Sequence, residues 1–212
     1  MLPDKPKFPT VATLHFLPSG DFLFVDHDHG DKSKFLTVNS VVSAFSTYGR
    51  DTGWMPAGLV RHGQGNKGAW YVYSAPGQKV EIQVDGQALR VPIPRTVLVH
   101  YERKVWIWAM NTSAFDPSAR AFLAPFPNVY ADGHVCWGSN AAPIAEPMKA
   151  RQVWEMFFKT AFNRDLSNDK CKSYASVVEL LKLINGKSKF PAEELMPARD
   201  KISTLVENAI KD

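Results

Sequence analysis

Cysteine is scarce, with Cys136 and Cys171 the only two in 212 residues. One bridge between them is the most that can form, so no disulfide framework organises the fold. A chain this long buries a sizeable core without staples or a structural metal, and two unstapled thiols are most simply those of a cytoplasmic protein. Long apolar runs are also missing. No window approaches the ~18 apolar residues needed to cross a bilayer, and the opening MLPDKPKFPTVATLHF has no run of signal-peptide character. A soluble protein with neither export nor a membrane partner is expected. Nor does the chain contain a run of Lys or Arg, because 25 basic residues are scattered among 21 acidic ones with a net charge of +4. With no basic stripe to follow a phosphate backbone, the charge pattern points away from nucleic acid.

Two further absences concern cofactors. The stretch VDHDHGDK crowds Asp26, His27, Asp28, His29 and Asp31 together. Adjacent ligands in one loop make poor tetrahedral geometry, and no His-x-x-x-His pair supports them, so a polar loop is expected and no metal. GQGNKG, residues 63–68, lacks the Gly-Lys-Ser/Thr ending of a phosphate loop and opens no helix, which leaves it as a hairpin connection.

The hydrophobic patterning is clearer. TVATLHFL and DFLFVD alternate around the turn PSGD, which predicts a hairpin. In FLTVNSVVSAFSTYG the period changes. Val41, Val42, Phe45 and Tyr48 fall on one helical face, with Asn39 or Ser40 placed to cap it and Gly49 to end it. Between Trp54 and Met110 the segments MPAGLVRHG, GAWYVYSAP, KVEIQV, ALRVPI, TVLVHY and KVWIWAM are separated by turn chemistry, which predicts an antiparallel β-meander. Its aromatic residues Trp70, Tyr71, Tyr73, Trp106 and Trp108 suit a sheet core or a protein-binding face better than base stacking.

The last third is helical in pattern, over PMKARQVWEMFFKTAF, SYASVVELLKLIN and ARDKISTLVENAIKD. Val153, Trp154, Phe157, Phe158 and Phe162 line one side of the first, and Gly186 is placed to stop the second. The order hairpin, helix, meander, helices is that of an α+β fold with helices segregated from an antiparallel sheet.

Between meander and helices, residues 111–147 have no strong period and contain five prolines and two glycines, although RAFLAP has the look of a short strand. A loop this long inside a domain is usually functional or conceals an element. It holds APFPNVYADGHVCWGSN, residues 124–140, with Cys136 among Pro, Asn and Gly. A thiol suits an acyl carrier, since its thiolate both accepts and releases an acyl group, and about 3% of an ordinary thiol of pKa ~8.5 is thiolate at pH 7. Asn128 offers an amide donor for the oxyanion formed when an amine attacks a thioester, an effect worth ~3 kcal/mol. His134, two residues before Cys136, shares its face if the segment is extended and is a candidate base. Ser139 and Asn140 are close enough to assist. Each residue also has a plain reading. Cysteine is often an inert core residue, Asn128 and Asp132-Gly133 are good turn formers, and Ser139 and Asn140 serve loop hydrogen bonding.

FPNVYADGHVC resembles the active-site segment of ubiquitin-conjugating enzymes, in which His-Pro-Asn precedes a Gly-containing turn and then the thioester-forming cysteine. Pro127-Asn128, Gly133 and Cys136 match in type and order, and so does the eight-residue step from Asn128 to Cys136. Phe126 stands where that family has His, so packing or backbone bonds must hold the loop instead.

LAPFPNVYADGHVCWGS, with KVWIWAM before it, is more specifically similar to the bacterial PRTRC system protein B family, over roughly residues 95–140. Members are encoded beside a ThiF-type activating enzyme, a ubiquitin-like protein and a JAB-type metallopeptidase. The resemblance implies a ubiquitin-conjugating-enzyme-like domain over 1–165, including the hairpin, with 166–212 as a helical extension. It implies a thioester carrier using Cys136 and Asn128, with His134, Asp132, Ser139 and Asn140 as possible auxiliaries. The partners would be a ubiquitin-like protein and a ThiF-type enzyme, and no cofactor is needed, because adenylation belongs to the activating partner. Two alternatives stay open. One is an inactive adaptor of the same fold, the other a Cys/His hydrolase built on Cys136 and His134.

Overall fold

The computed structural model describes residues 9–45 and 53–211, and the chain divides into two units, Met1–Trp54 and Met55–Asp212. In the first, β1 (Ala12–Phe16), β2 (Phe22–Asp26) and β3 (Lys32–Leu36) form an antiparallel sheet in that order. The expected hairpin is there, and its turn needs Gly20 at φ +87°. β3 is an addition, drawn from KSKFL. The helix α1 (Val38–Phe45) follows. Its cap is Thr37, whose Oγ1 accepts the Ser40 N–H at 3.2 Å, which corrects the expectation of Asn39 or Ser40. Tyr48 and Gly49 lie outside the described residues.

The second unit contains the strands read as a meander: β4 (Leu59–Gly65), β5 (Gly68–Ala75), β6 (Gln78–Val84), β7 (Gln87–Ile93), β8 (Arg95–Tyr101) and β9 (Lys104–Met110). GQGNKG contains the β4–β5 hairpin turn, Asn66-Lys67, with its glycines already in the strands. After β9 come β10 (Arg120–Leu123), within RAFLAP, and, following two helices, β12 (Pro197–Lys201), with β11 (Ala161–Phe162) between the first helix and the second. The main sheet runs β12-β10-β9-β8-β5-β4, while β6 and β7 form a separate hairpin with β11 parallel to β6. Pro76-Gly77 and Pro94 explain the excursion. Proline has no N–H to continue a ladder, and a Cβ on Gly77 would meet the Ile93 carbonyl at 3.2 Å.

The helices are α2 (Ala150–Lys159), α3 (Val177–Leu183) and α4 (Ile202–Ala209). Phe162 is not on α2, because Thr160 leaves the helix at ψ 147° and the chain turns into β11. Residues 197–201 are likewise a strand, where the sequence pattern predicted helix from Ala198. Pairing with the edge of β10 overrides local propensity there. Period-two alternation splits the sheet's side chains between two cores. Tyr71, Tyr73, Leu98, Val105 and Ile107 join Trp154, Phe157 and Phe158 of α2, while Val72, Val99, Trp106 and Trp108 join Ile202 and Val206 of α4. Four of the sheet aromatics, Tyr71, Tyr73, Trp106 and Trp108, are thus core residues and present no stacking platform.

Candidate active site

The 111–147 loop conceals a small hairpin, and its register explains the eight-residue step. Val129 and Val135 pair antiparallel. On either side of that pair, the Cys136 N–H donates to the Asn128 carbonyl at 2.7 Å and the Tyr130 N–H to the His134 carbonyl at 2.8 Å. Asn128 and Cys136 are therefore cross-strand partners, whose Cβ atoms lie ~5 Å apart in such pairs. The turn is closed by the Gly133 N–H on the Tyr130 carbonyl at 2.9 Å and by the Asp132 carboxylate, which accepts the His134 N–H at 2.9 Å.

The hairpin docks on β9. The Ile107 N–H donates to the Gly133 carbonyl and the Val135 N–H to the Val105 carbonyl, both at 2.8 Å. Only glycine fits at 133, where φ is +92° and a Cβ would lie 2.5 Å from the Trp108 indole. Val129 and Val135 are buried in the core beneath. On the other face Cys136 and His134 are half-buried and Tyr130 is exposed.

Asn128 sits at φ +59°, a left-handed conformation that asparagine tolerates better than most residues. Its backbone N–H donates to the Asp165 carbonyl at 3.3 Å, and one side-chain N–H reaches the Ala161 carbonyl at 3.4 Å. Both anchors come from the segment after α2. Phe126, in place of the motif histidine, is fully buried edge-on to Phe158 at 5.1 Å and Phe157 at 5.8 Å. Behind the same loop lies Lys170, also buried. Its ammonium donates to the Phe126 carbonyl at 2.7 Å and to the Val129 carbonyl, and burial pushes its pKa down from 10.5 to about 8.

Two residues at this site are absent from the sequence reading. Lys170 carried no signal, as a lone lysine 34 residues from Cys136. Tyr130 could have been found, since a hairpin turning at Asp132-Gly133 brings its side chain to the Cys136 thiol. The charge of a Cys136 thiolate, followed by a hydrogen bond between the two side chains, raises the Tyr130 hydroxyl above the usual phenol range. Tyr130 therefore stays protonated beside the sulfur, able to donate to a thiolate or an oxyanion.

The other candidates are placed as follows. The His134 ring lies edge-on to Trp106 at 5.6 Å and 6.0 Å from Tyr130, and among the described residues no carboxylate bonds it. Asp132 caps the turn, and Ser139 and Asn140 are exposed just past Cys136. The Trp137 indole N–H is buried without a hydrogen-bond partner among the described residues. Cys171 is a second free thiol, buried, its pKa raised by that burial. In the polar loop His27 pairs with Asp31 at 2.6 Å and His29 with Asp26 at 2.9 Å. No group of three or more His, Cys, Asp or Glu able to hold a metal occurs among the described residues, and no helix among them is long and apolar enough to cross a membrane.

No curated protein and no solved structure matches the chain. A family model does. Residues 34–198, which span the meander, the Cys136 hairpin and the first two helices of the second unit, match prokaryotic E2 family D, and the chain belongs to that family.

Proposed function

We propose that this protein is a cysteine-dependent carrier in a bacterial, cytoplasmic ubiquitin-like conjugation pathway of the kind that includes PRTRC system protein B. Cys136 attacks the C-terminal acyl group of a ubiquitin-like modifier presented by a ThiF-type activating enzyme. The new Sγ–C bond forms as the activating enzyme's leaving group departs. An acceptor amine then attacks the same carbonyl, an amide bond forms, and the thiol returns to Cys136. Asn128 keeps one amide N–H beyond the bond to Ala161, and together with the Tyr130 hydroxyl it is the donor available to the oxyanion of the second step.

One observation carries this reading. The hairpin register sets a half-buried thiol opposite Asn128 and beside the Tyr130 hydroxyl, while Val129 and Val135 are buried in the core. An inert core cysteine would belong with the valines. Membership of an E2-like family supports the same role.

The test is intact-mass analysis after incubation with the ThiF-type enzyme, the ubiquitin-like protein and ATP. The expected result is a reductant-sensitive adduct that Cys136→Ala abolishes. No adduct in the presence of a demonstrably competent activating enzyme assigns the fold to an inactive adaptor. Acyl-ester turnover without an activating enzyme, lost in His134→Ala, assigns it to a hydrolase.

A further inference from the structure

The dipeptide Pro127-Asn128 has one short tie, the Cys136 N–H on the Asn128 carbonyl at 2.7 Å. Pro127 has no N–H, and the Asn128 bonds to Asp165 and Ala161 are long, at 3.3 and 3.4 Å. Its flanks are held from behind, where the Lys170 ammonium meets the carbonyls of Phe126 and Val129, the residues on either side of that dipeptide. At 4% exposure, a cation is stable only when hydrogen-bonded, and a compact head with three donors can serve two diverging carbonyls at once. Lys170 belongs to the stretch 166–212 that reads as an extension, and yet it reaches the centre of the site.

We propose that Lys170 is the positioning residue of the Cys136 site: by clamping the carbonyls of Phe126 and Val129 it holds Asn128 in its left-handed conformation opposite Cys136, a role left vacant where Phe126 replaces the motif histidine. The inference rests on the thioester reading and assigns Lys170 to the second step, in which Asn128 acts.

Cys136 is loaded by exchange from a small glycylglycine thioester, and discharge to free lysine is followed in wild type, Lys170→Met and Lys170→Arg. Lys170→Met is expected to slow discharge by roughly 10- to 100-fold through its maximal rate rather than the lysine concentration at half-maximum, and to slow loading far less. Lys170→Arg, which keeps the charge and the donors, is expected to recover much of the loss. Wild-type discharge by a folded Lys170→Met overturns the proposal. Failure of the wild type to load overturns the carrier reading instead.

A second measurement covers that case, and also a Lys170→Met that does not fold. In Cys136→Ala, the Asn128 side-chain amide resonances are followed by NMR from pH 6 to 10. The other ionisable groups of the hairpin and of residues 161–172 are Tyr130, Asp132, His134, Arg164, Asp165, Asp169, Cys171 and Lys172. The expected result is a shift with its midpoint near the Lys170 value of about 8, absent from Cys136→Ala/Lys170→Arg. Resonances that stay flat in the Lys170 protein show that its ammonium does not hold Asn128.

Discussion

The two arms that flank Cys136 are built differently. Upstream, residues 124–129 are buried but for Asn128; they are fixed by two phenylalanine rings and the Lys170 ammonium, and Gly133 and Val135 just before Cys136 by bonds to β9. Downstream, residues 138–141 are exposed, and the next ties come further on. The Pro143 carbonyl accepts from His100 at 3.1 Å, the Ala142 carbonyl from Arg103 at 2.9 Å, and the Ala145 N–H reaches Glu102 at 2.7 Å. Such a division suits a carrier. The nucleophile and its donor need fixed geometry, whereas the side that admits a modifier tail and an amine must be open.

The comparison breaks first at Phe126. Phe126→Ala empties a fully buried site between Phe157 and Phe158, at a cost of about 4 kcal/mol. The urea midpoint should fall with the slope unchanged. A loss below about 1 kcal/mol would mean that the upstream arm is not packed as described. Next comes Gly133→Ala, which combines a left-handed φ with a Cβ 2.5 Å from the Trp108 indole. Strain and overlap together predict a loss of roughly 3 to 4 kcal/mol by the same titration.

Much of this was legible in the sequence, for identifiable reasons. Strand alternation and turn residues are local signals, and both produce the elements they predict. The spacing from Asn128 to Cys136 was legible as well, because cross-strand pairing through Asp132-Gly133 turns a sequence interval into a distance. What escaped was non-local. The β12 strand forms because β10 offers it an edge, and the β6–β7 excursion is visible only once β5 has paired with β8. Lys170 escaped for the same reason, since nothing in the polar sequence LSNDKCKS around it announces two carbonyls 41 and 44 residues away.

The downstream arm has one buried tether that responds to pH. His100 is fully buried, and because the Pro143 carbonyl can only accept, its Nε2 carries the proton and its Nδ1 accepts from the Tyr71 hydroxyl at 2.8 Å. Burial lowers its pKa from 6.5 to about 4. A depressed folded-state pKa means that the contribution is fully present above pH 6.5 and is lost as pH falls through about 4. At about 1.4 kcal/mol per pKa unit, the loss is at most about 3 kcal/mol. Unfolding titrations from pH 7 to 4 should show this slope in the wild type and a shallower one in His100→Gln. Equal slopes would sink the assignment.

The smallest expected effect is the most useful for chemistry. Ser139 and Asn140 are exposed, and this stretch is tied by a backbone bond, the Asn140 N–H to the Trp137 carbonyl at 3.1 Å. Truncating either side chain removes no packing, so Ser139→Ala and Asn140→Ala should change stability by no more than ~0.5 kcal/mol. The contrast with Phe126 and Gly133 matters here, since at those positions a loss of activity is confounded with a loss of fold. At 139 and 140 it is not. If either variant keeps the wild-type unfolding midpoint but discharges the Cys136 thioester more slowly, its side chain touches the incoming amine or the modifier tail. Unchanged discharge in both makes the open arm a passage, and leaves the chemistry to the hairpin.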